Sequence, residues 1–140
     1  MNPQIRYIKR NLEDTIRQSL NKGKVIVVYG ARQVGKTTLI NNLFSDKSTV
    51  LYLSCEQQRI QQQVVADALV LGRMVGNYKN VVFDEAQYLD NPGLVFKILA
   101  DNFPDKNIIA SGSSSFDLAR KVSEPLTGRH YTFLLFPIRW

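Results

Sequence analysis

Short runs of apolar residues alternate along this chain with longer stretches in which apolar residues recur every three or four positions. The short runs have the length of β-strands, and the longer stretches have the period of amphipathic helices. The predicted strands cover residues 24–29, 50–53, 81–83, 107–111 and 131–136. The predicted helices cover residues 5–20, 36–44, 57–71, 94–102 and 116–126.

This alternation predicts an α/β fold with three α/β/α layers and a five-stranded, mainly parallel sheet. The first four strands are continuously apolar, which is typical of strands that are buried on both faces and joined by right-handed crossovers. Residues 1–23 are predicted to form an N-terminal helix packed on the core, and residues 24–140 the core itself. The helix shows the required three- and four-residue spacing of apolar side chains at Ile5, Ile8, Leu12, Ile16 and Leu20.

A glycine-rich loop directly follows the first strand. Its pattern is Gly, four residues, then Gly-Lys-Thr, and between a strand and a helix this is typical of the phosphate-binding P-loop. Backbone N–H groups converge there at the positive end of a helix. Lys36 would reach the β- and γ-phosphates, and the Thr37 hydroxyl would ligate Mg²⁺. The predicted nucleotide-binding residues are Gly30, Ala31, Arg32, Gln33, Val34, Gly35, Lys36, Thr37 and Thr38.

The alternative to a phosphate-binding role is that Gly35 only caps a turn and Thr37 only starts a helix. A second motif argues against it, because Asp84 and Glu85 directly follow an apolar strand, as in a Walker B motif. Asp84 is predicted to hold Mg²⁺ opposite Thr37, and Glu85 to orient or deprotonate the water that attacks the γ-phosphate. An ordinary acidic turn is the alternative for this pair.

Three further residues are candidates for catalysis. Ser111 and Ser113 follow the fourth strand and could hydrogen-bond the γ-phosphate or the attacking water, although a serine-rich turn is also a good helix start. Arg129 could stabilise phosphoryl charge within the chain or from a neighbouring subunit, which would imply self-association. A surface arginine near a helix end is its alternative. Ligands of parallel sheets lie at the carboxyl ends of the strands, where the P-loop, the acidic pair and the serines fall.

Composition narrows the class of protein. The hydrophobic fraction of 44% and the charged fraction of 21% are those of a soluble globular protein, and no apolar run approaches the roughly 18 residues of a membrane span. The lone Cys55 cannot form an internal disulfide and the N-terminus lacks a signal-peptide core, so we expect a cytoplasmic location. The net charge of +6 is spread along the chain, which leaves a nucleic-acid surface as an alternative only.

Together, residues 28–39, 82–87 and 111–115 resemble a prokaryotic AAA+-type ATPase family whose members carry Gly-Pro-Arg-Gln-Val-Gly-Lys-Thr-Thr at the P-loop. Ala31 stands at the usual proline, and the close of the chain over residues 126–138 is similar as well. The resemblance implies a P-loop NTPase core of the AAA+ type. In that core the P-loop strand is central and the strand that ends at Ser111 lies between it and the Walker B strand.

Family members continue into a lid and a C-terminal domain, often DNA-binding-like or nuclease-like. Because this sequence stops at Trp140, residues 24–140 are expected to be a P-loop ATPase core truncated before the lid. A DNA or protein partner would then be bound through the region that follows.

The leading functional prediction is an ATP-binding, Mg²⁺-dependent ATP-hydrolysing domain that couples its ATP or ADP state to a partner. The alternative is a nucleotide-dependent switch or DNA-associated module with little turnover. A helicase is disfavoured because a second motor domain does not fit in this length.

Overall fold

The structure is a computed structural model, and it describes residues 12–30, 36–112, 121 and 128–135. Helix α1 covers residues 12–18. The other elements are β1 Val25–Gly30, α2 Lys36–Asn41, β2 Val50–Ser54, α3 Gln58–Gln63, α4 Ala68–Val75, β3 Asn80–Asp84, α5 Pro92–Asn102, β4 Asn107–Gly112 and β5 His130–Leu135. The predicted helix over 116–126 lies outside the described residues, apart from Lys121.

The five strands form one sheet in the order β2-β3-β4-β1-β5. Every neighbouring pair is parallel. The fold class is therefore confirmed, including the position of β4 between β1 and β3. The phosphate-loop strand β1 is an inner strand, and the middle strand of the five is β4. Because all strands run the same way, the loops that leave their carboxyl ends lie at one edge of the sheet.

Alternate side chains of the central strands enter two separate cores. Val25, Val27 and Tyr29 of β1 pack on one face with buried residues of α3, α4 and α5. Ile26 and Val28 pack on the other face with α2 and with α1, which contributes the fully buried Ile16. This period of two is what a strand buried on both faces requires, and it explains why the strands read as continuous apolar runs.

The prediction of a single helix over residues 57–71 is wrong. The chain forms two helices, α3 and α4, and it is extended at Val64, with φ −88° and ψ 92°. The Asp67 carboxylate accepts hydrogen bonds from the backbone N–H groups of Leu69 at 2.9 Å and Val70 at 3.1 Å, and so caps α4. This N-cap starts a new helix that the apolar periodicity alone did not separate from the first.

Helix α4 then continues beyond the predicted boundary through Gly72 to Val75. A Cβ atom at Gly72 would lie 3.0 Å from the ring of Phe103. The absence of a side chain at Gly72 lets this aromatic ring approach the helix closely. Helix α2 is shorter than predicted and ends at Asn41 rather than at residue 44. Within the described ranges, no helix has the length and apolarity needed to cross a bilayer.

Candidate functional site

The predicted phosphate-binding loop joins the carboxyl end of β1 to α2, at the edge of the sheet where parallel-strand folds bind ligands. Gly30 ends β1, and the exposed side chains of Thr37 and Thr38 lie in the first turn of α2. Ala31, Arg32, Gln33, Val34 and Gly35 are outside the described residues, as is the side chain of Lys36. Their roles in nucleotide binding stay predictions.

Asp84 ends β3, and both of its carboxylate oxygens accept hydrogen bonds. The hydroxyl of the fully buried Ser111 donates to Oδ1 at 2.6 Å. The phenol of Tyr52 donates to Oδ2. The strand order brings these residues together, because β2 and β4 are the two neighbours of β3. Such charge-assisted bonds fix the orientation of a carboxylate.

Tyr52 lies on β2, beside the end of β3, and its phenol is a proton donor to Asp84. Burial is the largest cause that raises the Tyr52 pKa, and the hydrogen bond to Asp84 and its negative charge raise it further. The Thr37 side chain acts in the opposite direction. The phenol thus stays protonated at neutral pH. No sequence motif singles out Tyr52, because its contact depends on the neighbouring strand.

Glu85 follows Asp84 but turns away from the strand. Its backbone is left-handed, with φ 55° and ψ 50°, and its side chain is almost fully buried at 5% exposure. The amide of Gln87 donates to Glu85 Oε2 at 2.7 Å, and the Glu85 backbone N–H donates to Ser111 Oγ at 3.3 Å. A positive φ is unfavourable for a residue with a Cβ and is found where surrounding contacts enforce it. The fold therefore holds this carboxylate in a defined place.

Gln87 is a second residue that the motifs did not single out. Its side-chain Oε1 is buried and has no hydrogen-bond partner among the described residues. Its backbone oxygen accepts a hydrogen bond from the Lys121 ammonium at 2.8 Å. A buried acceptor without a partner costs about 1–3 kcal/mol. Gln87 therefore supports Glu85 at a cost in stability.

Cys55 lies behind the carboxylates and is fully buried. Its backbone N–H donates to the Asp84 carbonyl at 2.9 Å. Burial raises the pKa of its thiol to about 12, and the negative charges of Asp84 and Glu85 add to the shift. The thiol stays protonated at neutral pH, which excludes it as an activated nucleophile.

Of the other candidate catalytic residues, one lies outside the described part of the chain and one lies away from this edge. Ser113 lies outside the described residues. Arg129 precedes β5 at the amino end of the strands, where its Nε donates to Asp101 Oδ1 at 2.9 Å and its carbonyl accepts from the Val25 N–H. The P-loop begins at the other end of β1, roughly 17 Å away at about 3.3 Å per residue. A role of Arg129 at the P-loop of its own chain is not supported by this geometry.

The donor set at the edge suits magnesium. Mg²⁺ prefers hydroxyl, carboxylate and water oxygens, and in nucleotide sites it is held by one or two protein groups together with phosphates. Thr37 and Asp84 supply such a pair of oxygen ligands at this edge of the sheet, and Tyr52 donates to Asp84. Among the described residues, no three His, Cys, Asp or Glu side chains group into an all-protein metal cage. The arrangement fits a metal that arrives with a nucleotide.

Comparison with known proteins gives one family and several relatives. A family model described as an AAA domain matches residues 22–140. The uncharacterized protein MJ1637 of Methanocaldococcus jannaschii is 32% identical, with the match covering 81% of this chain and 28% of the relative. The uncharacterized protein Rv2008c of Mycobacterium tuberculosis is 29% identical, covering 86% and 27%. The chain thus spans less than a third of the length of these curated relatives.

Two solved structures share the fold. A Walker-type ATPase of Pyrococcus abyssi superimposes with a TM-score of 0.65 at 20% identity, covering 91% of this chain and 53% of that one. A DNA replication initiation factor superimposes with a TM-score of 0.57 at 17% identity, covering 95% and 47%. At these identities the likeness concerns the fold alone.

Proposed function

Because the chain belongs to the AAA domain family, we propose that it binds ATP together with Mg²⁺ and hydrolyses the γ-phosphate bond. The observation that carries this proposal is the convergence on Asp84. Ser111 donates to this carboxylate at 2.6 Å, and Tyr52 donates to its other oxygen. Asp84 ends β3, and Thr37 lies in the first turn of the helix that follows β1, so both residues fall at the carboxyl edge of the sheet. This shared edge supports a common site for phosphate and metal.

In this proposal the binding residues divide the work between phosphate and metal. The backbone of residues 30–38 cradles the phosphates at the N-terminus of α2, and the Lys36 ammonium neutralises the β- and γ-phosphate oxygens. Thr37 and Asp84 would hold Mg²⁺, which would supply positive charge to neutralise the transferred phosphoryl group. Ser111 fixes the orientation of the Asp84 carboxylate through its 2.6 Å hydrogen bond.

Glu85 is proposed as the general base. Its carboxylate would accept a proton from the attacking water as the bond between that water and the γ-phosphorus forms and the bond to the β-γ bridging oxygen breaks. The Glu85 side chain is 5% exposed and held by Gln87 at 2.7 Å, which favours a single orientation. Positioned proton transfer of this kind contributes about 10²–10⁴-fold to a rate.

The same contact supports a second candidate, a nucleotide-dependent switch with little intrinsic turnover. The Gln87 amide occupies Glu85 Oε2 and competes there with an attacking water. In this version Glu85 becomes active only after a partner draws Gln87 away. The partner could be DNA or protein bound by parts of a longer chain, since the curated relatives extend well beyond the matched region.

Isothermal titration with Mg·ATP tests the binding step. Lys36→Ala should weaken binding by about 100-fold, because it removes the cation closest to the transferred phosphate. The matched control is Lys22→Ala, since Lys22 is exposed near the amino edge of the sheet. Absence of binding by the wild-type chain, or equal binding by the Lys36 variant, would refute the proposal.

Phosphate release measured at saturating ATP tests the role of Glu85. Glu85→Gln should retain binding and lower turnover by at least about 100-fold, because the amide cannot accept the proton. Exposed Glu56 provides the control, Glu56→Gln.

The variant Gln87→Ala separates the constitutive ATPase from the nucleotide-dependent switch. Raised turnover supports the switch, and unchanged or lowered turnover supports the constitutive ATPase.

A role for Arg129 is proposed only in a neighbouring copy of the chain. Its ion pair with Asp101 is 39% exposed on the arginine side, so the guanidinium is accessible from outside. Self-association that brings this edge of one copy to the P-loop of another is the arrangement that would use it.

A further inference from the structure

The Tyr52 hydroxyl contacts one of the two side chains proposed to hold Mg²⁺. It donates to Asp84 Oδ2. The other Asp84 oxygen accepts from Ser111 at 2.6 Å. The carboxylate at the end of β3 is therefore held between donors from β2 and β4.

Building on the proposed function, we propose that Tyr52 is a positioning residue whose hydroxyl competes with hydrated Mg²⁺ for Asp84. Tyr52 thereby sets how strongly nucleotide binding depends on the metal. The phenol donates to Asp84 Oδ2, and it would have to leave this oxygen for Asp84 to hold the hydrated ion.

The contacts of the Asp84 carboxylate support this competition. Ser111 donates to Oδ1 at 2.6 Å and Tyr52 donates to Oδ2, so each oxygen already accepts a hydrogen bond. Mg²⁺ and its bound waters prefer the same kind of oxygen. Ser111 is fully buried and Tyr52 is exposed, so the Tyr52 bond is the one that a hydrated ion would displace.

The surroundings of Tyr52 give its ring room to leave. Tyr52 lies on β2, which is an edge strand, and it is 41% exposed. Beside it is a cavity of about 140 Å³ beneath α2, lined mainly by apolar side chains. Its lining residues are Ile40, Asn41, Phe44, Lys47, Val50, Tyr52 and Val82. If the Tyr52 ring rotates into this cavity, it buries apolar surface, and the free energy gained offsets part of the cost of losing its hydrogen bond.

The experiment compares ADP affinity in excess Mg²⁺ with ADP affinity in EDTA, by isothermal titration, for wild type and Tyr52→Phe. The ratio of the two affinities should rise about threefold to tenfold in the variant, which keeps the ring and loses only the competing hydroxyl. Affinity in EDTA should stay within about twofold. Tyr78→Phe, at the opposite edge before β3, is the control and should leave both affinities unchanged.

The outcomes separate the two proposals. If Mg²⁺ does not raise the ADP affinity of the wild type, the proposed metal site itself fails. If the wild type responds to Mg²⁺ and Tyr52→Phe responds equally or less, the competition is refuted while the site stands. A merely structural Tyr52 would change stability without changing the ratio.

A second measurement needs no variant. In wild-type protein labelled with ¹³Cζ-tyrosine, addition of Mg·ADP should shift the Tyr52 resonance, because the phenol loses its carboxylate acceptor. ADP in EDTA should leave that resonance in place. A Tyr52 signal that Mg·ADP does not move would overturn the proposal.

Discussion

Strands β3 and β4 carry polar side chains at both of their ends, but the two ends are built differently. At the amino end, Asn80 and Asn107 face each other across the sheet and are joined by a 2.8 Å hydrogen bond. Asn107 also accepts from the Asn21 N–H at 2.8 Å, and Asn80 donates to Thr49 at 3.0 Å. This neutral asparagine cluster satisfies its buried groups with one another, which is what stability requires.

The carboxyl end of the same strands bears two carboxylates and carries local costs. Glu85 has φ 55°, and the buried Oε1 of Gln87 has no partner among the described residues. A left-handed residue occurs near the amino end too, but it is Asn21, with φ 64°. Asparagine tolerates that conformation better than glutamate does. The amino end is therefore built from mutually satisfied groups, whereas the carboxyl end, where the proposed site lies, carries local strain.

The largest expected effect is on stability at the amino end. Asn107→Ala removes three hydrogen bonds and leaves the Asn21 N–H and the Asn80 carbonyl oxygen without partners. The free energy of unfolding should fall by about 3 kcal/mol, measured by urea denaturation, while ADP affinity with Mg²⁺ stays within about twofold. Asn102→Ala, at an exposed helix position, is the control. A loss of unfolding free energy below about 1 kcal/mol, or a weakened nucleotide affinity, would contradict the difference between the amino and carboxyl ends of the strands.

A smaller, mixed effect is expected at the carboxyl end from Ser111→Ala. This change removes the 2.6 Å donor to Asp84. Unfolding should become easier by about 1.5 kcal/mol, and Mg²⁺-dependent ADP affinity should fall about tenfold because the carboxylate is no longer oriented. Ser48→Ala is a matched control, since Ser48 donates to Asp46 over the same 2.6 Å on an exposed surface. Unaltered affinity in Ser111→Ala would contradict a positioning role for the serine.

The smallest effect is a pH dependence confined to the carboxyl end. The folded-state pKa of Cys55 is about 12, against 9.0 for an ordinary thiol. The neutral thiol is thus favoured by folding, and its contribution is complete below pH 9 and is lost as pH rises toward 12. Between pH 8 and 10 the loss should be about 1 kcal/mol. The free energy of unfolding of Cys55→Ala, measured in urea, should not show this loss between pH 8 and 10. An equal loss in the variant and the wild type would refute the role of the thiol.

Much of the fold could be predicted because local patterns carried it. The apolar runs marked all five strands within one or two residues, and strand-turn-helix context located the phosphate-binding loop and the acidic pair. The order of the strands came from the resemblance to a family rather than from periodicity. Where the prediction joined α3 and α4 into one helix, the error arose because Asp67 caps a helix only when the chain is extended before it.

The parts of the site that motifs missed depend on neighbours across the sheet. Tyr52 is an unremarkable strand tyrosine in the sequence, and it meets Asp84 only because β2 lies beside β3. Gln87 follows the acidic pair in the sequence, but its contact with Glu85 requires the left-handed backbone conformation of Glu85. For Arg129, the sequence suggested a role at the phosphate site. The structure places Arg129 before β5 and against Asp101, at the opposite end of the strands from the P-loop of its own chain.

By itself, the sequence determined the alternation of strands and helices, the parallel sheet, and the edge at which Asp84, Glu85 and Ser111 would collect. It could do so because strand period and the direction of parallel strands are local properties with few alternatives. Only the tertiary structure decided that Asp84 is held between Ser111 and Tyr52, that Glu85 rests on Gln87, and that three asparagines close the opposite end. Those contacts arise between residues up to 86 positions apart, and no local preference specifies which distant side chains a strand will meet.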